Sequence, residues 1–259
     1  MSAQIKEEQD FIGTRFINYV TVGHGPHNIL LCPGTLGTWK TDFESTLNRL
    51  DHQQFTIVAW DPPGYGKSRP PDRNFSKDVN RSDGKLANQL MKSLGLTPFS
   101  VLGFSEGGRM AINSAHLEPE IVKKLVFWGT PTHINEDYLK DFVKMRNVKT
   151  WPRDRRKIFE NIYGKDRVQK MWTEYVELTK KVFAEHSGNI CKDILCEIQQ
   201  PTLVLYGDQD WLGAGVEHAR QNSQAIPNAR LIIKTEGKHD IHLQFEDWFI
   251  TTVQQFLLE

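Results

Sequence analysis

The sequence predicts an α/β domain built on a mostly parallel central sheet with helices on both faces. Three observations predict this class. Short, almost continuous apolar runs recur along the chain, as in strands that are buried on both faces. Segments with helical spacing of apolar residues separate these runs, and glycine- or proline-rich turns follow several of them. Regular alternation of strand and helix favours parallel pairing, because each parallel strand needs a crossover connection.

The first half of the chain alternates in this way up to residue 129. Edge strands are expected within 11–22, and buried strands at 28–32, 55–60, 99–102 and 123–129. Helices are expected at 42–50, 78–94 and 109–117, and the glycine at position 95 is typical of a helix end.

Residues 132–195 differ in character from the segments on either side. They are rich in charged and aromatic residues, with helical spacing and no strand-like run. Beyond them, strands are expected at 201–207 and 229–234, and helices at 216–226 and 245–258. We therefore expect one core formed by 1–131 and 196–259, interrupted by a helical cap at 132–195 over the carboxyl ends of the strands. Most aromatic residues of the cap are expected to pack between its helices.

Charge and composition exclude several classes of function. The chain has 259 residues, with 32 basic and 32 acidic side chains and no basic block, so we expect no nucleic-acid partner. No run of eighteen apolar residues occurs, so no membrane partner is expected. The polar, acidic start lacks the features of a targeting segment. This predicts a cytoplasmic protein, or a mitochondrial one if a transit peptide has been removed.

Neither a metal nor a cofactor is expected. Cys32, Cys191 and Cys196 form no disulfide framework, and no histidines stand near the last two at the spacing of a zinc site. The glycine-containing turn at 23–26 is not followed by the helix-opening pattern of a dinucleotide site.

The stretch 100–109 carries the strongest functional signal. Its centre reads GFSEG at 103–107, a Gly-x-Ser-x-Gly pattern between an apolar strand and a helix. The pattern is typical of a nucleophile elbow, a tight turn that holds a serine hydroxyl above the sheet. Gly103 and Gly107 fit that turn, because side chains there would collide with the crossing backbones. The alternative is an ordinary strand-to-helix turn with a solvated serine.

A serine hydroxyl needs a neighbouring base, and the base needs an acid that orients it. The sequence supplies these groups in that order: Ser105 follows the strand at 99–102, Asp208 and Asp210 follow the next-to-last strand, and His239 follows the last. Asp210 is the preferred acid because the loop can curl there towards the histidine, and Asp208 is the alternative. His242 is the rival base, but it is expected to belong to the run into the final helix.

Two further loops follow buried strands and carry candidate functional or supporting groups. The loop PGTLGT at 33–38 can point backbone N–H groups at developing negative charge, as an oxyanion hole requires. A plain connecting loop is the alternative. Asp61 follows the next buried strand, and we expect its carboxylate to bind the backbone of its own loop rather than to take part in chemistry.

Four stretches resemble one known family. They read PGTLG at 33–37, VAWDPPGYGKSRPPDR at 58–73, GNIC at 188–191 and EGKH at 236–239. They are similar to the valacyclovir hydrolases, also called biphenyl hydrolase-like proteins, a branch of serine hydrolases with the α/β-hydrolase fold. The similarity spans nearly the whole chain, and the run at 61–73 is its most specific part.

The resemblance implies a serine esterase that uses water to cleave α-amino acid esters, and that also hydrolyses a thiolactone. It implies Ser105 as the nucleophile, Asp210 as the acid and His239 as the base. It also implies that the backbone of Thr35 and Leu36 contributes to the oxyanion hole.

The residue after the nucleophile departs from the family pattern. In the family it is an aspartate that faces the α-ammonium group of the substrate, whereas here it is Glu106. The resemblance implies that its backbone amide is an oxyanion donor and that its carboxylate binds the free α-amino group of the substrate. The alternative for the carboxylate is an interaction with the helix dipole alone. The segment at 211–215 also lacks the proline that is usual in the family.

The sequence thus predicts a serine hydrolase of small α-amino acid esters. The alternatives are hydrolysis of other small esters or thiolactones, hydrolysis of a carbon–carbon bond in an anionic ring-cleavage product, and a non-catalytic ligand receptor on the same fold. The carbon–carbon reaction is disfavoured because Glu106 would repel an anionic substrate. The receptor is disfavoured because the sequence retains all three members of the expected triad.

Overall fold

A single sheet of eight strands organises residues 5–212 and 215–259, the part of the chain that the computed structural model describes. In chain order the strands are β1 (Lys6–Ile12), β2 (Arg15–Gly23), β3 (His27–Cys32), β4 (Phe55–Asp61), β5 (Phe99–Phe104), β6 (Val122–Trp128), β7 (Thr202–Gly207) and β8 (Ala229–Lys234). Their spatial order is β1-β2-β4-β3-β5-β6-β7-β8. β2 is antiparallel to β1 and β4, and all other neighbours are parallel, which confirms the predicted fold class.

Helices cover both faces of this sheet. They are α1 (Trp39–Arg49), α2 (Val79–Ser93), α3 (Glu106–Leu117), α4 (Glu136–Lys144), α5 (Arg153–Tyr163), α6 (Lys165–His186), α7 (Val216–Ala225), α8 (Ile241–Gln244) and α9 (Glu246–Leu258). Apolar residues of α2 and α3 share one core with one face of the sheet. Apolar residues of α1 and α9 share a second core with the other face. Central strands such as β3 are apolar along their buried part, here from Ile29 to Cys32, because both of their faces are covered.

Element boundaries differ from the sequence prediction where capping decides them. α1 begins at Trp39 rather than at residue 42, because the Thr38 side chain accepts from the Thr41 amide and the Thr41 side chain accepts from the Thr38 amide. This reciprocal pair satisfies two of the free amides at the start of the helix.

The helices α4, α5 and α6, which we call the cap helices, lie between β6 and β7 in the chain. Their aromatic and aliphatic side chains form a third core, which includes Phe142, Trp172 and Tyr175. Leu36 and Tyr65, from loops at the carboxyl ends of β3 and β4, belong to the same core. The cap helices therefore pack over the end of the sheet at which the predicted functional residues lie. None of the described helices combines the length and the apolar character needed to cross a bilayer.

Candidate active site

Ser105 stands at the turn between β5 and α3, in a backbone conformation with φ 55° and ψ −115°. A non-glycine residue rarely adopts a positive φ, so the turn is strained at this position. The Ser105 amide donates to the Trp128 carbonyl on the neighbouring strand over 2.9 Å, which anchors the turn. A Cβ atom at Gly107 would overlap the Cys32 carbonyl, and one at Gly103 would overlap the Gly107 carbonyl. The predicted steric requirement for both glycines is confirmed.

The structure brings Ser105, His239 and Asp210 into one hydrogen-bonded row. The Nε2 atom of His239 lies 3.1 Å from the Ser105 Oγ. Its Nδ1 atom lies 2.9 Å and 3.0 Å from the two carboxylate oxygens of Asp210. Because an ionised carboxylate only accepts hydrogen bonds, the proton belongs on Nδ1, and Nε2 is left to accept from the serine hydroxyl. This is the geometry that an activated serine requires.

Two loops after the last strands position the histidine and the acid. The Gln209 amide donates to the Gly237 carbonyl over 2.8 Å, which joins the loop after β7 to the loop after β8. The Leu212 amide donates to the Asp210 Oδ1 over 2.9 Å, so this carboxylate is oriented from two sides. Asp208 is exposed and its side chain is not part of the row. Of the family departure at 211–215, residues 213 and 214 lie outside the described residues.

His242 does not reach the serine. Its ring is 1% exposed and packs 4.5 Å from the Phe104 ring, between centroids. The Trp128 Nε1 donates to its Nδ1, and its Nε2 donates to the backbone carbonyl of Asp42. Burial lowers the pKa of His242 to about 3, although the bond to Asp42 raises it slightly. A neutral, fully bonded imidazole of this kind supports the core.

The loop after β3 lies against the serine. A Cβ atom at Gly34 would stand 3.4 Å from the Ser105 Cβ, so the loop passes the nucleophile closely. Thr35 lines the cavity beside Ser105, whereas the side chain of Leu36 packs into the core of the cap helices. In the described part of the chain, the amides of Thr35, Leu36 and Glu106 donate to no other protein group. These amides are available to an anionic oxygen.

The Glu106 side chain is held by neighbouring side chains inside the protein. Its carboxylate is fully buried and is absent from the lining of the cavities beside Ser105. The Arg73 guanidinium donates to its Oε1 over 3.0 Å, and the Tyr65 hydroxyl donates to its Oε2 over 2.9 Å. The same guanidinium donates to Asp83 over 2.6 Å. The negative charge of Glu106 is therefore engaged inside the protein, and this burial disfavours the predicted contact of its carboxylate with a substrate.

A cavity of about 70 Å³ adjoins the serine and the histidine. Its wall combines cap aromatics with three charged side chains, those of Asp42, Arg109 and Arg155. Two larger cavities, of about 190 and 220 Å³, share His239 and Arg155 with it. Asp42 is tied to the loop after β3, because its Oδ2 accepts from the Gly34 amide over 2.8 Å. Burial raises the pKa of Asp42, against hydrogen bonds that lower it.

Three polar residues of this wall were missed by the sequence prediction. Arg109, Tyr138 and Tyr175 come from α3, α4 and α6, and they meet only because the cap helices fold over the sheet. The one available signal was a basic residue within the apolar start of α3.

Two further sequence predictions concern Asp61 as an anchor of loop backbone and the binding of metal ions. The Asp61 carboxylate accepts from the amides of Trp39 and Lys67 over 3.1 and 2.8 Å, which confirms that it ties down loop backbone. Among the described residues, no group of three or more histidine, cysteine, aspartate or glutamate side chains is placed to hold a metal ion.

Comparisons with known proteins agree with the observed fold. The profile of a family described as alpha/beta hydrolase fold matches residues 27–184. The mouse protein named serine hydrolase BPHL is 40% identical over 93% of this chain and 82% of its own length. Its human counterpart is 37% identical over the same shares. The solved structure of 2-hydroxy-6-oxo-6-phenylhexa-2,4-dienoate hydrolase from Rhodococcus sp. strain RHA1 superposes with a TM-score of 0.82 at 16% identity, covering 99% of this chain and 100% of that one.

Proposed function

This chain belongs to the alpha/beta hydrolase family and is a serine hydrolase related to the BPHL proteins, and from this premise we propose that it cleaves small carboxylic esters through an acyl-enzyme on Ser105. The observation that carries the proposal is the 3.1 Å approach of the His239 Nε2 to the Ser105 Oγ, with Asp210 on the other ring nitrogen. A serine held in this way is a nucleophile, whereas an isolated serine hydroxyl is a poor one.

The first half of the reaction acylates the serine. The Ser105 Oγ attacks the ester carbonyl carbon while the His239 Nε2 takes the hydroxyl proton. The amides of Thr35 and Glu106 donate to the oxygen that becomes negative, and Leu36 is the further candidate donor from the same loop. The tetrahedral intermediate then expels the alcohol, whose oxygen receives the proton from His239.

The second half releases the acid. A water molecule attacks the acyl carbon and gives a proton to the His239 Nε2. Collapse of the second tetrahedral intermediate breaks the bond to the Ser105 Oγ, which takes that proton back. The Asp210 carboxylate stabilises the imidazolium in both halves and holds the ring in the correct tautomer.

Cavity sizes suggest how an ester would lie. The cavity of about 70 Å³ suits a short acyl group, and the cavities of about 190 and 220 Å³ offer more room for the alcohol. We propose α-amino acid esters as the first substrates to test, on the basis of the sequence resemblance. Since Glu106 is engaged by Arg73, Asp42 is the carboxylate on the cavity wall that could meet the ammonium group.

An active-site-directed fluorophosphonate tests the enzyme assignment. It should label the protein, and Ser105→Ala should abolish labelling, whereas Ser100→Ala, on the preceding strand β5, is the control and should leave labelling unchanged. Valine, phenylalanine and glycine methyl esters should then be hydrolysed, with a higher kcat/KM than their N-acetylated forms. Absence of labelling would leave the ligand-receptor alternative. Equal rates on free and acetylated amines would remove the α-amino acid preference alone.

Hydrolysis of a carbon–carbon bond in an anionic substrate is a second candidate. The objection to it was repulsion by Glu106, and the ion pair with Arg73 weakens that objection. Arg109 and Arg155 also place positive charge on the wall of the nucleophile cavity. The measurement is decay of the visible absorbance of 2-hydroxy-6-oxo-6-phenylhexa-2,4-dienoate, compared between the unmodified chain and Ser105→Ala. Identical decay in both would exclude this reaction for that compound.

A further inference from the structure

Arg109 is a buried cation beside the proposed nucleophile. It lies one helical turn after Ser105, is 5% exposed, and lines the same cavity as the serine and His239. Its Nε donates to the Pro131 carbonyl over 2.8 Å, and its Nη1 donates to the Tyr175 hydroxyl over 2.9 Å. These bonds fix the plane of the guanidinium.

The partners that hold the Arg109 guanidinium are a carbonyl and a hydroxyl, not a carboxylate. Among the described residues, no carboxylate oxygen lies within 4 Å of its guanidinium. Glu106, which is close in sequence, is bound to Arg73 instead. Burial of a charge without a counterion is costly, and carbonyl or hydroxyl partners offset only part of that cost. The cavity therefore has a positive wall that an anion would stabilise.

Two tyrosine hydroxyls converge on the same place. Tyr138 and Tyr175 line the cavity, and both interact with Arg109. The Tyr175 oxygen accepts from the guanidinium, which leaves its own proton available, and in the described residues neither hydroxyl donates to another protein group. Burial raises the pKa of Tyr138, so this hydroxyl stays protonated. A guanidinium with two O–H donors is a suitable site for the oxygens of a carboxylate.

We propose that Arg109, with Tyr138 and Tyr175, binds a carboxylate on the acyl part of the substrate. The inference rests on the proposed ester hydrolysis and narrows its substrate class to half-esters of short dicarboxylic acids, with or without an α-amino group. Residues one helical turn apart have Cβ atoms roughly 5–6 Å apart, so a short acyl chain is enough to span from the Ser105 Oγ to the guanidinium. The small cavity favours the same short chains.

A purely structural role is the competing account. Arg109 joins α3 to α6 through Tyr175, so it could act only as a clamp between the sheet and the cap helices. A clamp would affect all esters alike, whereas a carboxylate site discriminates between charged and uncharged acyl groups. Selectivity, rather than activity, is therefore the informative measurement.

The test compares monomethyl succinate with methyl 4-methylpentanoate, in which an uncharged isopropyl group replaces the carboxylate. The unmodified enzyme should favour the succinate half-ester at least tenfold in kcat/KM. Arg109→Gln should reduce that preference at least tenfold, and Arg109→Lys, which keeps the charge, should retain part of it. Arg146→Gln, on the exposed surface of the cap, is the matched control and should leave the preference unchanged. No preference in the unmodified enzyme, or equal loss on both esters, would overturn the proposal.

Competition in the unmodified enzyme provides a readout that needs no variant. Succinamate should inhibit hydrolysis of an uncharged ester at a concentration at least tenfold below that of 4-methylpentanamide, which carries no carboxylate. Equal inhibition by the two amides would count against the carboxylate site. Fluorophosphonate labelling of Ser105 in the same samples separates this failure from failure of the ester-hydrolase proposal, because labelling does not depend on a carboxylate.

Discussion

The Arg73 guanidinium donates to the Glu106 carboxylate over 3.0 Å, and neither side chain is more than 1% exposed. Glu106 follows the proposed nucleophile directly, so this pair lies immediately behind the elbow. It links the loop after β4 to the start of α3 and thereby holds the turn that carries Ser105. The pair supports the site, and the Arg73 guanidinium is shared between the carboxylates of Glu106 and Asp83.

Glu106→Gln should lower the free energy of unfolding by about 1.5–3 kcal/mol, because it weakens the charge-assisted hydrogen bond that the buried Arg73 guanidinium donates to this side chain. Asp83 still contacts Arg73, which limits the loss. Urea denaturation measures the change. The ratio of kcat/KM between free and N-acetylated amino acid esters should stay within about twofold. Collapse of that ratio to one would restore the side chain to the substrate site.

The sequence could not reveal this pairing. Glu106 and Arg73 are 33 positions apart, and both lie in motifs that resemble known ones, but a motif gives no direction for a side chain. The sequence shows the negative charge of Glu106, but it does not identify Arg73 as the partner of that charge. Compensation of a buried charge depends on which loops meet at the end of the sheet, and that is a property of the tertiary fold.

Asp210→Asn should reduce kcat by about 10⁴, since an amide cannot hold the His239 ring in the tautomer that accepts from serine. Asp208→Asn is the matched control, because Asp208 is exposed and two positions away. It should change kcat by less than about threefold. The measurement is kcat for hydrolysis of one methyl ester by the unmodified chain and by each variant. An equal effect of the two substitutions on kcat would contradict the assignment of Asp210 as the acid.

Much of the fold, and the row formed by Ser105, His239 and Asp210, could be predicted because local sequence patterns indicate both. β3, β5 and β7 are apolar runs that end at the loops carrying Gly34, Ser105 and Asp210. Parallel strands present their carboxyl ends at one edge, so residues far apart in sequence meet there. The proposed carboxylate site could not be predicted in this way. Arg109, Tyr138 and Tyr175 meet through the path of the cap helices, and neither periodicity nor motif spacing determines that path.

Gly107→Ala should destabilise the fold by at least about 3 kcal/mol. The added Cβ would overlap the backbone carbonyls of Cys32 and Pro33, and backbone atoms in a central strand cannot rotate away. Gly95→Ala is the control. Gly95 has a positive φ, of 69°, which Gly107 does not, but open space surrounds it, so alanine should cost only about 1–2 kcal/mol. Similar urea midpoints for the two variants would show that the elbow tolerates a side chain.

His242→Gln should flatten the dependence of stability on pH in mildly acidic solution. Burial lowers the pKa of the folded-state imidazole from 6.5 to about 3. Between these values the unfolded chain binds a proton that the folded chain does not, so unfolding becomes easier as the pH falls. One such group contributes a loss of about 2 kcal/mol between pH 7 and pH 5. Burial has the opposite effect at Asp61 and Asp83, whose pKa values it raises to about 6 despite their hydrogen bonds, so these groups favour folding as the pH falls.

Comparing the variant with the unmodified chain cancels those carboxylates, because both proteins contain them. Glutamine can still donate to the Asp42 carbonyl and accept from Trp128, the two bonds that His242 makes now. The difference in unfolding free energy should therefore shift by about 2 kcal/mol in favour of the variant between pH 7 and pH 5, as measured by urea denaturation. His24→Gln, which removes an exposed histidine, should give no such shift. Parallel stability curves for the unmodified chain and His242→Gln would mean that the buried imidazole accepts its proton as readily in the folded protein as in the unfolded chain.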